Sequence, residues 1–403
     1  MNIDRYTRTV DLDPRDPAFV QASYAAYDVI RAACPVFKWQ QYGHWCFANY
    51  DDVNGLLRDR RFGRQILHVA TREELGWPGV PEHVKPFAEH ETHSLLELEP
   101  PVHTRLRGLV NRAFLSRQVD RIRPRLINLC NGLIDDFHSS PEVDLLPRYA
   151  TPIPLHVICE LLGAPLEMAD QFLKWSHDHV AMYMAKRDRE IEVKAVTAVV
   201  AFSGYMRDLI RTRQKNPGVD LLSELICAKD EGGKLSEDEL VTTAILLLNA
   251  GHEATVHAMG NAIKALLENG DTANITSGHV EESLRYDAPL HMFTRYALED
   301  LEYRGIRLKK GETVGLMLGA ANRDPTRFPD PLRFEATREQ NAHTSFGAGI
   351  HFCVGAPLAR LELEVGLQVL FKRLPKLRLA QKPRYKDAYH FHGLESLPIL
   401  TGL

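Results

Sequence analysis

The sequence predicts a mainly α-helical protein that carries small β-sheets, on three observations. Residues 103–267 repeat apolar positions at helical spacing and break that pattern only at short Pro- or Gly-containing points. Two shorter stretches, within 35–62 and 301–318, instead alternate apolar and polar residues around glycine-containing turns. Helical spacing then returns from Pro357. No Ser/Gly-rich or Pro-rich linker, low-complexity tract or internal repeat divides the chain, so residues 1–403 are expected to form a single domain. Its β-rich portion is expected near 30–65, 290–320 and 385–403, and its α-rich portion near 103–285 and 355–375.

From the N-terminus, Val36-Phe37-Lys38-Trp39 and His44-Trp45-Cys46-Phe47 flank Tyr42-Gly43 and predict a hairpin, followed by a short helix ending near Arg61. Residues 76–103, rich in Gly, Pro and His, read as a loop. The helical region is interrupted at Pro152-Ile153-Pro154, Gly163-Ala164-Pro165 and Asp230-Glu231-Gly232-Gly233. Leu301-Glu302-Tyr303 and Thr313-Val314-Gly315-Leu316 are expected to pair as a second hairpin. Between Asn322 and Ile350 lies a long irregular stretch, of a length that usually carries function. The tail from Tyr389 reads as a last β-element.

Composition narrows the function classes. With 44% hydrophobic and 25% charged residues, the chain is ordinary globular material. A net charge of −4 argues against a general nucleic-acid binder, which needs a basic excess. Met1 to Asp13 is polar, and no apolar run approaches the roughly 18 residues of a membrane span. A cytoplasmic protein that engages neither membrane nor nucleic acid is expected. The six cysteines, at 34, 46, 130, 159, 227 and 353, lack the spacing of a disulfide framework or zinc ribbon.

Cys353 stands apart by its neighbours. Phe346-Gly347-Ala348-Gly349-Ile350-His351-Phe352-Cys353-Val354-Gly355 sets it in a glycine-rich loop just before a helix. Glycines let a backbone approach a flat ligand closely. At such a junction, unpaired N–H groups and the positive end of the helix dipole favour a thiolate, the form that coordinates iron. Taken alone, the segment reads first as a buried structural cysteine. Other features accompany it. Glu282-Ser283-Leu284-Arg285 puts an acid and a base on one helix face, by itself usually a solvated pair. His103 and Arg107, four apart, share another face, and Ala250-Gly251-His252-Glu253-Ala254-Thr255 interrupts a long apolar helix.

Together these segments resemble the cytochrome P450 superfamily, whose haem signature runs Phe-Gly-x-Gly-x-His/Arg-x-Cys-x-Gly; every defining position is present from Phe346 to Gly355. The other landmarks follow in the family's order across nearly the whole chain. The resemblance implies a largely helical triangular prism with a β-rich side, haem b (iron protoporphyrin IX), and O₂ as co-substrate. Cys353 is then the axial ligand of the iron, with Phe346, Gly347 and Gly355 shaping the loop. His103, Arg107, Arg295 and His351 are the cations expected at the haem propionates. Glu282 and Arg285, joined by Arg333 from Asp330-Pro331-Leu332-Arg333-Phe334, are structural.

The 250–255 segment resembles the family's oxygen-activation motif, Ala-Gly-x-Asp/Glu-Thr, with Gly251 loosening the helix and Glu253 relaying protons. Here the sequence departs from the pattern. The alcohol's position is Ala254, and Thr255 lies about 100° further around an ideal helix. A substrate hydroxyl or water standing in for the alcohol, a helix distortion that swings Thr255 inward, or peroxide-driven or other chemistry would each account for this.

By the same resemblance, Leu95, Leu96, Val180, Met184, Leu246, Leu290, His291, Met292, Phe293 and Leu394 are pocket candidates, so the substrate should be apolar. His93, His177, His179, His390 and His392 are further histidines near that region, and one or two in the pocket would favour a substrate with a hydroxyl or carboxylate. No flavin or iron–sulfur cluster is expected in the chain. Electrons should come from a separate ferredoxin, of 2Fe–2S type, and its NAD(P)H-dependent reductase, with Arg105, Arg112, Arg117, Arg121 and Arg123 as a docking face or simply a solvated one. The leading reading is a soluble, bacterial-type monooxygenase. Peroxide-driven oxidation or C–C bond formation is the alternative, and a non-enzymatic haem sensor or carrier a third.

Overall fold

The computed structural model describes residues 1–113, 116–183, 187–230 and 233–402. The chain divides into two compact units. One comprises Met1–Ile66, Arg123–Ile153 and Ala254–Leu403, the other Leu67–Ile122 and Pro154–Glu253.

The first unit is built on a seven-stranded sheet. The hairpin Val36–Trp39/His44–Phe47 forms as expected, with Gly43 at φ +72° in its turn, a conformation that suits glycine. Thr313–Leu316 runs parallel to His44–Phe47 and antiparallel to Phe293–Ala297. It does not pair with Leu301–Tyr303, as the second hairpin required. That strand turns at Arg304 (φ +50°) and Gly305 (φ +71°) and pairs with Ile306–Leu308. Two consecutive positive φ values make the two-residue turn whose twist matches a hairpin, so the nearer strand captures the partner. The helix Tyr50–Leu56 stops short of Arg61, because the chain turns there to add Phe62–Gly63 to the sheet edge. Apolar side chains cover the sheet in two clusters, one around Phe47, Val53, Leu56, Val314 and Phe328, the other around Tyr27, Phe37, Trp39, Cys46 and Tyr389. The tail strand Pro398–Leu400 joins a small sheet with Arg378–Leu379 and Glu142–Asp144.

The second unit is helical, with Val102–Ala113, Ala169–Val180, Arg189–Lys215 and Leu221–Cys227 among its elements. Within the expected 76–103 loop lies a helix, Lys85–Glu91, after a 3₁₀ turn at Glu82–Val84. Val84 and Phe87 bury with Met182, Ala195 and Val199, and this apolar pair three residues apart repays the short helix. Pro152 and Pro154, read as a break, open the helix Pro152–Leu161 instead, where a missing N–H costs nothing. The longest element, Glu237–Asn269, runs from this unit into the first.

Candidate functional site

Cys353 is exposed, whereas Cys34, Cys46, Cys130 and Cys159 are buried. Burial pushes the Cys130 thiol up to about 12, Cys159 to about 11 and Cys46 higher still, so these stay protonated small hydrophobes. The Cys353 N–H donates to the Phe346 carbonyl at 2.9 Å and closes the loop. Gly347 and Gly349 sit at φ +68° and +70°. A Cβ on Gly349 would lie 2.5 Å from the Leu57 carbonyl oxygen, so the loop packs there with no room for a side chain. Gly355 caps the helix Ala356–Arg373, with Pro357 in its first turn.

Around the loop the sheet supplies further groups. Phe293 would meet a Cβ on Gly347 at 3.4 Å. Two residues along the same strand, Arg295 is buried, donates to the Thr294 carbonyl at 2.8 Å, and sits 6.0 Å from the Phe293 ring. His351 is half-buried, between Ile350 and Phe352, which are 37% and 39% exposed. An exposed thiol at a helix start, flanked by apolar side chains and by a histidine and a buried arginine, suits a flat apolar group bearing carboxylates. In the other unit, His103 is buried and Arg107 half-buried, its Nε donating to Asn111 at 3.0 Å.

Behind the loop lies a buried ionic network. Arg285 binds Glu282 through two bonds of 2.8 and 2.7 Å, with both side chains fully buried. The second arginine on this carboxylate is Arg338, at 3.3 Å and 5% exposed. Arg333, expected in that place, is exposed and offers only its carbonyl, which accepts from Arg285 and Arg338. The chain crosses the network at Arg333 with its backbone inward, so the side chain points out. One residue before Glu282, Glu281 holds Arg360 by bonds of 2.6 and 2.9 Å, and the Arg360 guanidinium lies 4.6 Å over the Phe346 ring. The cysteine loop is thereby tied to the helix Ser277–Tyr286.

The helix Glu237–Asn269 is buried over most of its middle, but Leu246, Gly251, Glu253 and Ala254 are partly accessible and Ala250 is exposed. Leu246, Ala250 and Ala254, four apart, make one stripe. Thr255 is buried and the helix runs unbroken through it, so the hydroxyl does not join that stripe. A Cβ on Gly251 would touch Ile158 at an ordinary 3.5 Å. Glu253 has a partner the sequence did not disclose: His177 Nε2 lies 3.2 Å from its Oε2, and that imidazole is 55% exposed. His252, on the same helix, stands 3.5 Å from this oxygen and is buried. The pair joins residues 76 positions apart, and no local pattern marks it.

The remaining pocket candidates fall into distinct surroundings. Leu95 is buried and Leu96 and Val180 half-buried, while Met184 lies outside the described residues. Leu290 bridges to Phe391, and Leu394 is buried near Gly260. Met292 is packed into the core cluster with Trp39 and Cys46; the strand's alternation turns it away from the Phe293 and Arg295 side. His291 is fully buried, 2.7 Å from the Tyr27 hydroxyl and stacked on His392 at 3.9 Å. Both depart from a pocket lining, because a tyrosine- and histidine-rich core had already claimed them. Of the basic run, Arg105 is ion-paired with Glu239 and Arg123 with Glu364 at 3.2 Å. Arg121 is exposed, and the side chain of Arg117 lies outside the described residues.

A family model described as Cytochrome P450 matches residues 274–383, which span the Glu282 network and the Cys353 loop. Cytochrome P450 107B1 of Saccharopolyspora erythraea is 37% identical, covering 97% of this chain and 98% of that one. The 6-deoxyerythronolide B hydroxylase of the same organism is 38% identical, covering 93% and 95%. Among solved structures, the cytochrome P450 PksS of the Bacillus subtilis bacillaene polyketide synthase matches with a TM-score of 0.87 at 32% identity, covering 97% and 100%.

Proposed function

The chain belongs to the cytochrome P450 family, and we propose that it hydroxylates a sizeable apolar substrate that itself bears a hydroxyl group, with electrons from a ferredoxin. Membership makes it a haem-dependent monooxygenase with the fold of its solved relatives. No helix among the described residues is long and apolar enough to cross a membrane. Bound haem supplies O₂ activation at a thiolate-ligated iron. Cys353 is the residue that would hold that iron, and Arg295 and His351, in the same unit, would balance the propionates.

The observation that carries the reading is the accessible stripe on the Glu237–Asn269 helix. Its small side chains, Ala250 and Ala254, leave space on an otherwise buried apolar helix, as a bulky apolar ligand needs. Beside it, Glu253 Oε2 takes a proton from His177 Nε2, whose half-exposed ring exchanges with solvent. No alcohol follows Glu253 on this face. A hydroxyl of the substrate, or a water it orders, completes the path past Ala254. A hydroxylase of 6-deoxyerythronolide B and a P450 of a polyketide synthase among the relatives support a hydroxyl-bearing, polyketide-like substrate.

The test begins with a compound selected by its spin shift. With it, Ala254→Thr should leave product formed per NADH unchanged or lower; a sharp rise means that nothing was standing in for the alcohol. His177→Ala should lower kcat and alter its pH profile while haem content and substrate affinity hold. An unchanged pH profile removes His177 from the path. The missing alcohol also favours a second reading, peroxide-driven oxidation, which turnover with hydrogen peroxide in place of ferredoxin and NADH would reveal. For docking, the exposed Arg112 and Arg121 are the residues to reverse in charge; reduction by ferredoxin should slow and lose salt dependence.

A further inference from the structure

One face of the sheet in the first unit gathers three soft donor atoms around a glycine. In the strand His44–Phe47, His44 and Cys46 are two residues apart and so project to the same side. Gly315, on the neighbouring strand, stands opposite Cys46 on one side and opposite Thr294 on the other. Met292 lies two residues before Thr294 and shares its face, the reverse of the one that bears Phe293 and Arg295. The atoms nearest the place that a Cβ of Gly315 would take are Cys46 Sγ at 2.7 Å, Met292 Sδ at 3.0 Å and His44 Nε2 at 3.1 Å. Packed carbon atoms stay about 3.5–4.0 Å apart, so no methyl group fits there. Bonds from sulfur or imidazole nitrogen to a late first-row metal ion are about 2.0–2.3 Å long. The three donors need to move by only about 1 Å or less to close on an ion held just outward of the glycine.

The surroundings suit a bound ion. Cys46 is fully buried and Met292 is 3% exposed, in the cluster with Phe37, Trp39 and Tyr389. His44 is half-buried beside the exposed turn residue Gly43, which gives a route in from solvent. Its Nε2 is buried and has no hydrogen-bond partner among the described residues. Burial lowers the His44 imidazole to about 4, so the ring is neutral near pH 7. The hydrogen bond that the ring makes with the Tyr42 backbone falls to Nδ1 and leaves Nε2 as the unprotonated, ligating nitrogen.

We propose that His44, Cys46 and Met292 form a binding site for copper(I). A thioether beside a thiol selects a soft ion, and charge points the same way. On binding, Cys46 gives its proton to solvent and its sulfur bonds the ion. Thiolate and monovalent cation cancel, while His44 and Met292 bind as neutral ligands. A divalent ion would leave a net positive charge in an apolar core, at high cost. Since the charge of the niche does not change, the Arg64 guanidinium beyond His390 does not oppose binding. Without the ion, burial keeps the Cys46 thiol protonated. With it, the strand His44–Phe47 is linked across Gly315 to the start of Phe293–Ala297. The site is independent of the substrate reading above.

The experiment uses haem-loaded protein carrying Cys227→Ser, which removes the other exposed thiol besides Cys353. It is titrated with copper(I) without oxygen, in competition with a coloured copper(I) chelator. One copper per chain is expected. Met292→Leu, which conserves volume, and His44→Gln should each weaken binding at least about tenfold, since even an outer-shell partner is worth that much to a metal site. Copper-edge X-ray absorption should show two sulfurs and one nitrogen, and one sulfur fewer in Met292→Leu. Copper should raise the Tm of the parent but not of Met292→Leu, whose haem content and metal-free Tm show that it folds. Absence of stoichiometric binding, affinity undiminished in both Met292→Leu and His44→Gln, or two sulfurs still bound in Met292→Leu overturns the site.

Discussion

Replacing Arg338 by alanine tests the network behind the cysteine loop more sharply than any change at Glu282, because the sequence offers a control five residues away. The Arg338 guanidinium donates to the Pro329 carbonyl at 2.6 Å and the Arg333 carbonyl at 3.1 Å, and lies 3.3 Å from Glu282. Truncation leaves those carbonyls short of a donor and the buried carboxylate with one cation. Breaking a buried ion pair costs about 3–5 kcal/mol. Glu282 keeps its two bonds from Arg285, the Glu335 N–H at 2.9 Å and Asn341 at 3.1 Å, so the lower end, about 3 kcal/mol, is expected. With 403 residues at about 2.1 cal/mol/K each, the unfolding entropy is about 0.85 kcal/mol/K, and Tm should fall by about 3–4 °C. Exposed Arg333→Ala should change stability by less than about 0.5 kcal/mol. Scanning calorimetry of both variants in one buffer decides the matter. An Arg333→Ala loss equal to that of Arg338→Ala, or an unmoved Arg338→Ala, refutes the assignment.

Burial tends to raise the Glu281 carboxyl, but its hydrogen bonds to Arg360 and His343 outweigh this and hold it at about 2. A depressed folded value means that this stability is present above about 4.5 and is lost as pH falls toward 2. Glu281→Gln should therefore flatten the acid limb of the Tm-against-pH curve between those values; an unchanged limb counts against the ion pair. Gly349→Ala combines a positive φ, costing about 1–2 kcal/mol, with the Leu57 clash, and should lower the haem-to-protein absorbance ratio. A full haem complement would show that the loop can yield. Gly251→Ala meets only ordinary contact with Ile158, so Tm should hold or rise with about 0.5–1 kcal/mol of added stability, while the rate of substrate oxidation changes. A drop in Tm would mean that the helix needs glycine there for packing.

What could be read from the sequence was what is encoded locally. The first hairpin, the helix after Pro357 and the glycine-rich loop each depend on residues within about one turn of one another, and these appear where the pattern puts them. Choices between near-equivalent partners were not legible. Arg333 and Arg338 have the same chemistry and differ only in which way the chain faces at the network. Likewise, Leu301–Tyr303 had two candidate strands ahead of it, and the positive φ of Arg304 and Gly305 decided for the nearer. Met292 and His291 look like a pocket lining by neighbourhood, but strand alternation and the Tyr27–His392 cluster govern where they point. His177 reaches Glu253 only through tertiary folding, so nothing in either segment announces the pair.

The contact between Gly349 and Leu57 joins positions 292 residues apart. Closing so long a loop is slow and entropically costly relative to local turns. The cysteine segment, short and self-contained as written, thus takes its working shape against a mould supplied by the start of the chain. Its competence to receive a cofactor depends on residues far from the signature, and a fragment holding only the C-terminal half would carry the signature without the surface that forms it.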